Sequence, residues 1–242
     1  IGRQILMEGV GRTLKKHSIL GMQKIRLNLS KTNFMKNLTN CIQVLLLIVL
    51  LPMLAFGQKK YRKATEAHGL SVGTKVTDFS ATDLHGDNYQ LSKALEEGPV
   101  VLLFYRGHWC PVCNKHLKRL QDSLQLIYDK GASVIAISPE KSEFLTRTSE
   151  KTGVEFKLLY DEDYQISNIF DVTFLPNKKT RVIYNSFLGA KLKKAHSDDS
   201  EQLPIPATFI LDKNGIIVWR QFDSNYKNRS SVSDILTNIP IK

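Results

Sequence analysis

Cysteine is scarce in this chain: three in 242 residues, at positions 41, 110 and 113. That is too few for a disulfide-stapled miniature fold or a four-cysteine zinc cage. Glycine (14) and proline (8) are also sparse, which excludes collagenous and low-complexity chains. Long apolar runs are missing as well. None reaches the roughly 20 residues of a membrane-spanning helix, so a polytopic membrane protein is excluded. Acid is short relative to base, with 23 Asp plus Glu against 34 Lys plus Arg and a formal charge of +11. Most of that surplus lies in residues 1–57, where Arg3, Arg12, Lys15, Lys16, Lys24, Arg26, Lys31 and Lys36 face the single acid Glu8. The remainder carries only a mild excess, with no arginine-rich stripe and no base-stacking motif, so no nucleic-acid partner is expected.

What is present begins with a leader pattern. Met35 to Asn40 is short and basic, and Ile42 to Phe56 is an almost unbroken apolar run ending in Ala55-Phe56-Gly57-Gln58. This is the grammar of a secretory signal peptide over 35–57, cleaved near Gly57. Residues 1–34 read as a segment translated from an upstream start, and 58–68 as a linker. Contact with a membrane is expected only through an uncleaved leader. The expected location is exported, periplasmic or extracytoplasmic. Cys41 leaves with the leader, so the mature chain keeps one cysteine pair in a compartment that tolerates disulfides.

Residues 69–242 are enough for one core. Residues 76–82 and 89–91 flank Leu84-His85-Gly86-Asp87-Asn88 and predict an opening β-hairpin, followed by a short helix over 92–96. Val100 to Tyr105 is a continuous apolar run, the pattern of a strand covered on both faces. Leu117, Leu120, Leu124 and Ile127 recur at helical spacing and predict one amphipathic helix over 111–130, ended by Gly131. A buried strand over 133–137 follows, so strand, helix and strand imply a parallel pair. Helices are predicted over 139–151 and 163–170, with a short strand at Leu158-Leu159 between them. Residues 171–203 lose periodicity and read as an insertion whose charge runs are solvated. Strands over 207–211 and 216–220 are joined by Asp212-Lys213-Asn214-Gly215, and a last helix spans 231–239. The fold class is α/β, a central mixed β-sheet flanked by helices, with an N-terminal hairpin extension.

Chemistry concentrates at Cys110-Pro111-Val112-Cys113, which follows a buried strand and opens a helix. Residues three apart on a helix lie on one face, with Cα atoms about 5 Å apart, within reach of a disulfide. Pro111 suits the first turn and leaves Cys110 at the N-cap, where free amides and the helix dipole stabilise a thiolate. Arg106 and His108 are placed to add positive charge, and Trp109 to shield one side while leaving the sulfur approachable from the other. A lone histidine beside a strand end is more often simply solvated. A zinc site would need His108 and His116 to complete it from awkward positions, so no metal and no cofactor is expected. A purely structural bridge closing so small a loop would stabilise little. Pro206, directly before an apolar strand, is expected to follow a cis peptide bond and to face the cysteines.

These motifs resemble the thioredoxin fold, and more closely the peroxiredoxin-like branch of the alkyl hydroperoxide reductase and thiol-specific antioxidant family. The resemblance runs from about Gly69 to Ile239. It rests on the opening hairpin, Phe104-Tyr105-Arg106-Gly107-His108-Trp109-Cys110-Pro111-Val112-Cys113, the strand ending Ala136-Ile137-Ser138-Pro139, and Pro206-Ala207-Thr208-Phe209. The family's peroxidases carry proline, threonine and cysteine at set spacing and a distant arginine. On that pattern Cys113 takes the peroxidatic position. Arg106 stands at the proline position, Cys110 at the threonine position and Pro206 at the arginine position. A Trp-Cys-x-x-Cys opening a helix, with a proline before the late strand, resembles thioredoxins instead, in which the first cysteine, here Cys110, attacks disulfides.

The resemblance implies a thiol-dependent peroxidase. In it Cys113 becomes a sulfenic acid on reaction with hydrogen peroxide or an alkyl hydroperoxide, and Cys110 resolves it to a disulfide. A thioredoxin-like protein or a small thiol then reduces that disulfide. Arg106 is expected to stabilise the departing oxygen, and Trp109, Pro206 and Thr208 to line the substrate. The alternative is an exported thiol-disulfide oxidoreductase with Cys110 as nucleophile and Pro206 shaping a peptide groove. A non-enzymatic module that kept the fold is a third class.

Overall fold

The computed structural model describes residues 61–240. The expected leader at 35–57, the segment 1–34 and the first residues of the 58–68 linker lie outside the described residues. The hairpin comes first: β1 (Ser80–Thr82) pairs antiparallel with β2 (Asn88–Gln90). The Asp83 carboxylate accepts hydrogen bonds from the backbone N–H groups of His85 (2.9 Å) and Asp87 (3.0 Å) across the turn, and Gly86 adopts φ +88°. Aspartate and glycine suit those two tasks. After it come α1 (Leu91–Glu97), β3 (Val100–Phe104), α2 (Pro111–Gln121), α3 (Leu124–Asp129) and β4 (Ser133–Ser138). Next are α4 (Ser142–Thr152), β5 (Lys157–Tyr160), α5 (Gln165–Ile169), β6 (Thr173–Phe174), α6 (Lys178–Ser186), α7 (Leu192–Ala195) and β7 (Leu203–Pro204). The chain closes with β8 (Ala207–Leu211), β9 (Ile217–Phe222) and α8 (Val232–Asn238).

The main sheet has the order β5-β4-β3-β8-β9, with β3, β4 and β5 parallel and β8 and β9 antiparallel to their neighbours. β3 sits in the middle, and its side chains alternate between two cores. Val101 and Leu103 pack with Leu117, Leu120, Ile127 and Ile235 on one face. Val100, Leu102 and Phe104 pack with Leu91, Leu95, Ile166 and Phe170 on the other. Each such side chain contributes about 1.5–3 kcal/mol by leaving water, so β3 is anchored from both sides. Its C-terminal end is therefore a fixed platform for the loop that carries the cysteines.

Three expectations are corrected. The helix expected over 111–130 is two helices, because the Ser123 N–H turns back to Leu120 O (3.1 Å) and Ser123 leaves helical geometry at φ −120°. The leucine stripe stays buried across the break. The helix expected over 163–170 starts late, since Asp163 (φ 52°) and Tyr164 (φ 58°) are left-handed. Asp161 then caps α5 by accepting from the N–H groups of Ile166 (2.7 Å) and Ser167 (2.9 Å). The segment 171–203, read as an insertion, carries α6 and α7 between the paired strands β6 and β7. Lastly, no peptide bond among the described residues is cis, so Ile205–Pro206 is trans. Pairing of Pro204 with Thr173 and of Ala207 with Phe222, with the Ile205 N–H donating to Val172 O (2.8 Å), keeps the chain extended there, as a trans linkage does.

Candidate active site

The loop from β3 to α2 runs Tyr105 to Cys110 and is held from several directions. Gly107 adopts φ +142°, and a Cβ there would collide with the Glu140 carboxylate and lie 2.7 Å from Trp109 Nε1, so only glycine fits. The His108 N–H donates to Glu140 Oε2 (2.7 Å), and His108 Nδ1 lies 2.8 Å from Glu140 Oε1. Glu140 is fully buried, and burial raises its carboxyl above the usual range while His108 opposes the shift. His108 O accepts from Asn114 Nδ2 (2.8 Å) and Lys151 Nζ (3.2 Å). His108 is thus a buried strut of the loop rather than a solvated residue.

Cys110 is the N-cap of α2 with Pro111 in the first turn, as the sequence implies, and it forms a disulfide with Cys113 across a Cα–Cα distance of 5.3 Å. Cys110 Sγ accepts from the Cys113 N–H (3.3 Å) and from Arg106 Nη2 (3.2 Å). Arg106 is only 3% exposed. It donates to the Tyr184 hydroxyl (2.7 Å) and stacks on the rings of Tyr226 (4.1 Å), Tyr184 (5.1 Å) and Trp109 (5.2 Å). On the other sulfur, Arg229 Nη2 lies 3.8 Å from Cys113 Sγ. Each sulfur has its own guanidinium. Among the described residues neither arginine forms an ion pair. Burial lowers both arginine pKa values. Arg229 is brought to about 10, with the Arg106 charge adding to burial, while the Tyr184 and Tyr226 hydroxyls partly restore Arg106.

Ser230, the residue after Arg229, is held in place. His116 Nε2 donates to Ser230 O (3.1 Å), and the Ser230 hydroxyl lies 3.2 Å from that nitrogen and 2.9 Å from Thr208 Oγ1. Burial, with Arg229 and Arg119 adding to it, holds His116 down at about 4, so it is neutral at pH 7.

A family model described as the AhpC/TSA family matches residues 72–220. The chain belongs to the AhpC/TSA family. Thiol-disulfide oxidoreductase ResA of Geobacillus kaustophilus is 24% identical over 170 residues, covering 69% of this chain and 79% of that protein. Peroxiredoxin Bcp of Bacillus subtilis is 27% identical over 155 residues, covering 63% of this chain and 86% of that one. The solved structure of peroxidoxin BcpB from Mycobacterium tuberculosis superposes with a TM-score of 0.51 at 22% identity, over 63% of this chain and 86% of the other. That likeness establishes the fold, a thioredoxin-like arrangement with its central mixed sheet flanked by helices.

In this AhpC/TSA chain the structure gathers Cys110, Cys113, Arg106 and Trp109 as the sequence implies. Pro206 directly precedes β8, beside the C-terminal end of β3, given the pairing of Leu103 with Thr208. Thr208 is buried in β8, and its hydroxyl meets Ser230 rather than a sulfur. Trp109 does not leave an open side: Cys110 is 0% and Cys113 1% exposed. Sequence reasoning missed Arg229, Tyr184 and Tyr226, which reach the site from distant segments and carry no motif. It also missed Glu140, whose position just after a buried strand was the available signal. A cleft of 590 Å³ is walled by Phe174, Leu175, Pro176, Arg181 and, among others, Tyr184, the tyrosine that Arg106 touches. A helix N-cap, a backbone N–H and two guanidinium groups around two sulfurs favour thiolate, and hence nucleophilic sulfur chemistry.

Proposed function

We propose that the protein is a thiol-based oxidoreductase whose activity is peroxide reduction, with Cys110 as the attacking thiolate and Cys113 as the resolving thiol. The observation that carries this order is the pair of donors on Cys110 Sγ, Arg106 Nη2 at 3.2 Å and the Cys113 N–H at 3.3 Å. It reverses the order that the family pattern implies. The Cys110 thiolate attacks one peroxide oxygen, the O–O bond breaks, and the departing oxygen takes a proton to leave as water or an alcohol. Arg106 stabilises the charge that grows on that oxygen. Cys113 then condenses with the sulfenic acid, expelling water and closing the disulfide, which a thiol reductant reopens by exchange. Closure of the site favours this reading, since hydrogen peroxide displaces less of the cover over the sulfurs than a folded protein substrate would.

The test is stopped-flow oxidation of the fully reduced chain by hydrogen peroxide, following the fluorescence of Trp109, with Cys110→Ser and Cys113→Ser alongside. Cys113→Ser keeps a rate far above that of a free thiol and accumulates sulfenic acid, whereas Cys110→Ser loses the fast phase. The opposite pattern restores Cys113 to the attacking role.

A second reading has its own observation. Cys110 at an N-cap three residues before Cys113, together with the match to ResA, supports a thiol-disulfide oxidoreductase. Peroxide rates no better than those of a free thiol, combined with reduction of insulin disulfides, would select it.

A further inference from the structure

In the disulfide form Arg106 and Arg229 flank two neutral sulfurs. Arg106 is nearly sealed from water, the charge of each disfavours the other, and neither has a carboxylate partner among the described residues. Arg106 Nε has no hydrogen-bond partner at all. A sealed charge and a half-buried like charge, with no carboxylate to neutralise either among the described residues, are an unfavourable arrangement. Reduction changes that. Opening the disulfide creates a thiolate 3.2 Å from Arg106 Nη2 and a second sulfur, able to carry negative charge, 3.8 Å from Arg229 Nη2. The N-terminus of α2 points its free amides at the same sulfur that Arg106 holds. Both guanidinium groups that contact the pair are therefore better satisfied in the reduced state.

We infer that the Cys110–Cys113 couple is strongly oxidising: Arg106 and Arg229 stabilise its dithiol form, so the protein passes its disulfide on to thiols of ordinary potential and needs no specially strong reductant. This rests on the reading that the pair cycles between disulfide and dithiol, and it names the partner class for that cycle. A substrate thiolate attacks Cys110 Sγ, the S–S bond breaks, and Cys113 leaves as a thiolate beside Arg229. A second substrate thiolate then attacks the substrate sulfur of the mixed disulfide, releasing the Cys110 thiolate beside Arg106. Two substrate thiols become one substrate disulfide, two electrons enter the protein pair, and the two protons go to solvent or to the released thiolates. The hydrogen bonds of His116 and Thr208 to Ser230 have a purpose in this scheme, because they hold the backbone next to the cation that receives the leaving group.

The experiment equilibrates the full chain with mixtures of reduced and oxidised glutathione, quenches with acid and counts dithiol and disulfide by mass. No peroxide is present, so the result does not depend on peroxidase activity. The wild-type pair is reduced even in mixtures rich in glutathione disulfide. Arg106→Gln and Arg229→Gln each shift the equilibrium toward the disulfide by about tenfold or more, the scale of a lost hydrogen bond to a charged group. Arg229→Lys shifts it less than Arg229→Gln. Thermal melts give a second readout: the reduced wild type melts above the oxidised form, and the gap narrows in both glutamine variants. Arg229 is only partly buried, so its variant serves if the Arg106 variant does not fold. A wild-type pair that stays oxidised when glutathione is overwhelmingly reduced overturns the inference. So does an Arg229→Gln equilibrium within about twofold of wild type, since one lost charged hydrogen bond should move it tenfold.

Discussion

Gly107 sits where the chain leaves the buried strand and turns toward Cys110, with φ at +142° and no room for a Cβ beside Glu140 and Trp109. Gly107→Ala forces the loop to shift, which moves His108 off Glu140 and Arg106 off Cys110 together. The expected cost is about 1–3 kcal/mol for the strained backbone alone. Urea unfolding checks that cost, and the single-turnover oxidation rate falls alongside it. A Gly107→Ala variant as stable and as fast as wild type would show that the loop does not depend on this backbone geometry. At this scale part of the site was legible. Cys110, Cys113, Arg106 and Trp109 lie within eight consecutive positions, so strand, turn and helix chemistry alone bring them together. Arg229, Tyr184 and Tyr226 were not, because only the packing of α6 and of the loop before α8 brings them to the sulfurs. The cis peptide expected before Pro206 failed because strand pairing on both sides overrode what a lone proline suggests.

Helix α2 is the element that carries both cysteines, and its rear face holds it against the sheet through Leu117 and Leu120, both buried with Val101 and Leu103. Leu117→Ala removes a fully buried side chain and leaves a cavity behind the active-site helix, at a cost of about 2–5 kcal/mol. Chemical denaturation measures it. A loss below about 1 kcal/mol would mean that the helix relaxes into the gap, and the sulfur geometry would then be expected to change with it. The leucine spacing that identifies this helix was readable directly, as were β3, β4 and β8, whose apolar runs have no other stable placement. The break at Ser123 was less legible, because the apolar stripe continues through it and only hydrogen bonding records the interruption. Likewise α6 buries no residue. Its apolar Val182 and Ile183 stay exposed, so no core-facing stripe marks the helix, and its Asn177 side chain accepts from the Thr180 N–H (2.9 Å) at the N-cap.

For the molecule as a whole, buried titratable groups set how stability responds to acid. His196 is sealed at the end of α7, with Nδ1 3.0 Å from the Tyr164 hydroxyl at the start of α5, and its Nε2 has no partner. Burial, with Lys141 adding to it and Asp198 opposing, holds it down at about 3. His116 behaves alike at about 4. In the unfolded chain both histidines titrate near 6.5. Below that pH the unfolded state binds protons that the folded state refuses, so the histidines' contribution to stability falls as pH drops from about 6.5 toward 4. Asp161 acts the other way. Burial raises it to about 6 against the hydrogen bonds that lower it, so the fold keeps a proton there that the unfolded chain has already lost, and Glu140 is raised in the same direction. The net slope mixes the four groups, and a single variant separates them. In His196→Gln, with the disulfide kept closed so that no thiol titrates, the neutral side chain removes one proton-refusing site. The variant's stability relative to wild type, measured by urea unfolding, should rise as pH falls from about 6.5 to about 4. A relative stability that stays level across that range would mean that His196 takes up its proton in the folded state as readily as in the unfolded chain. The packing of α7 against α5 would then be open to water at that point.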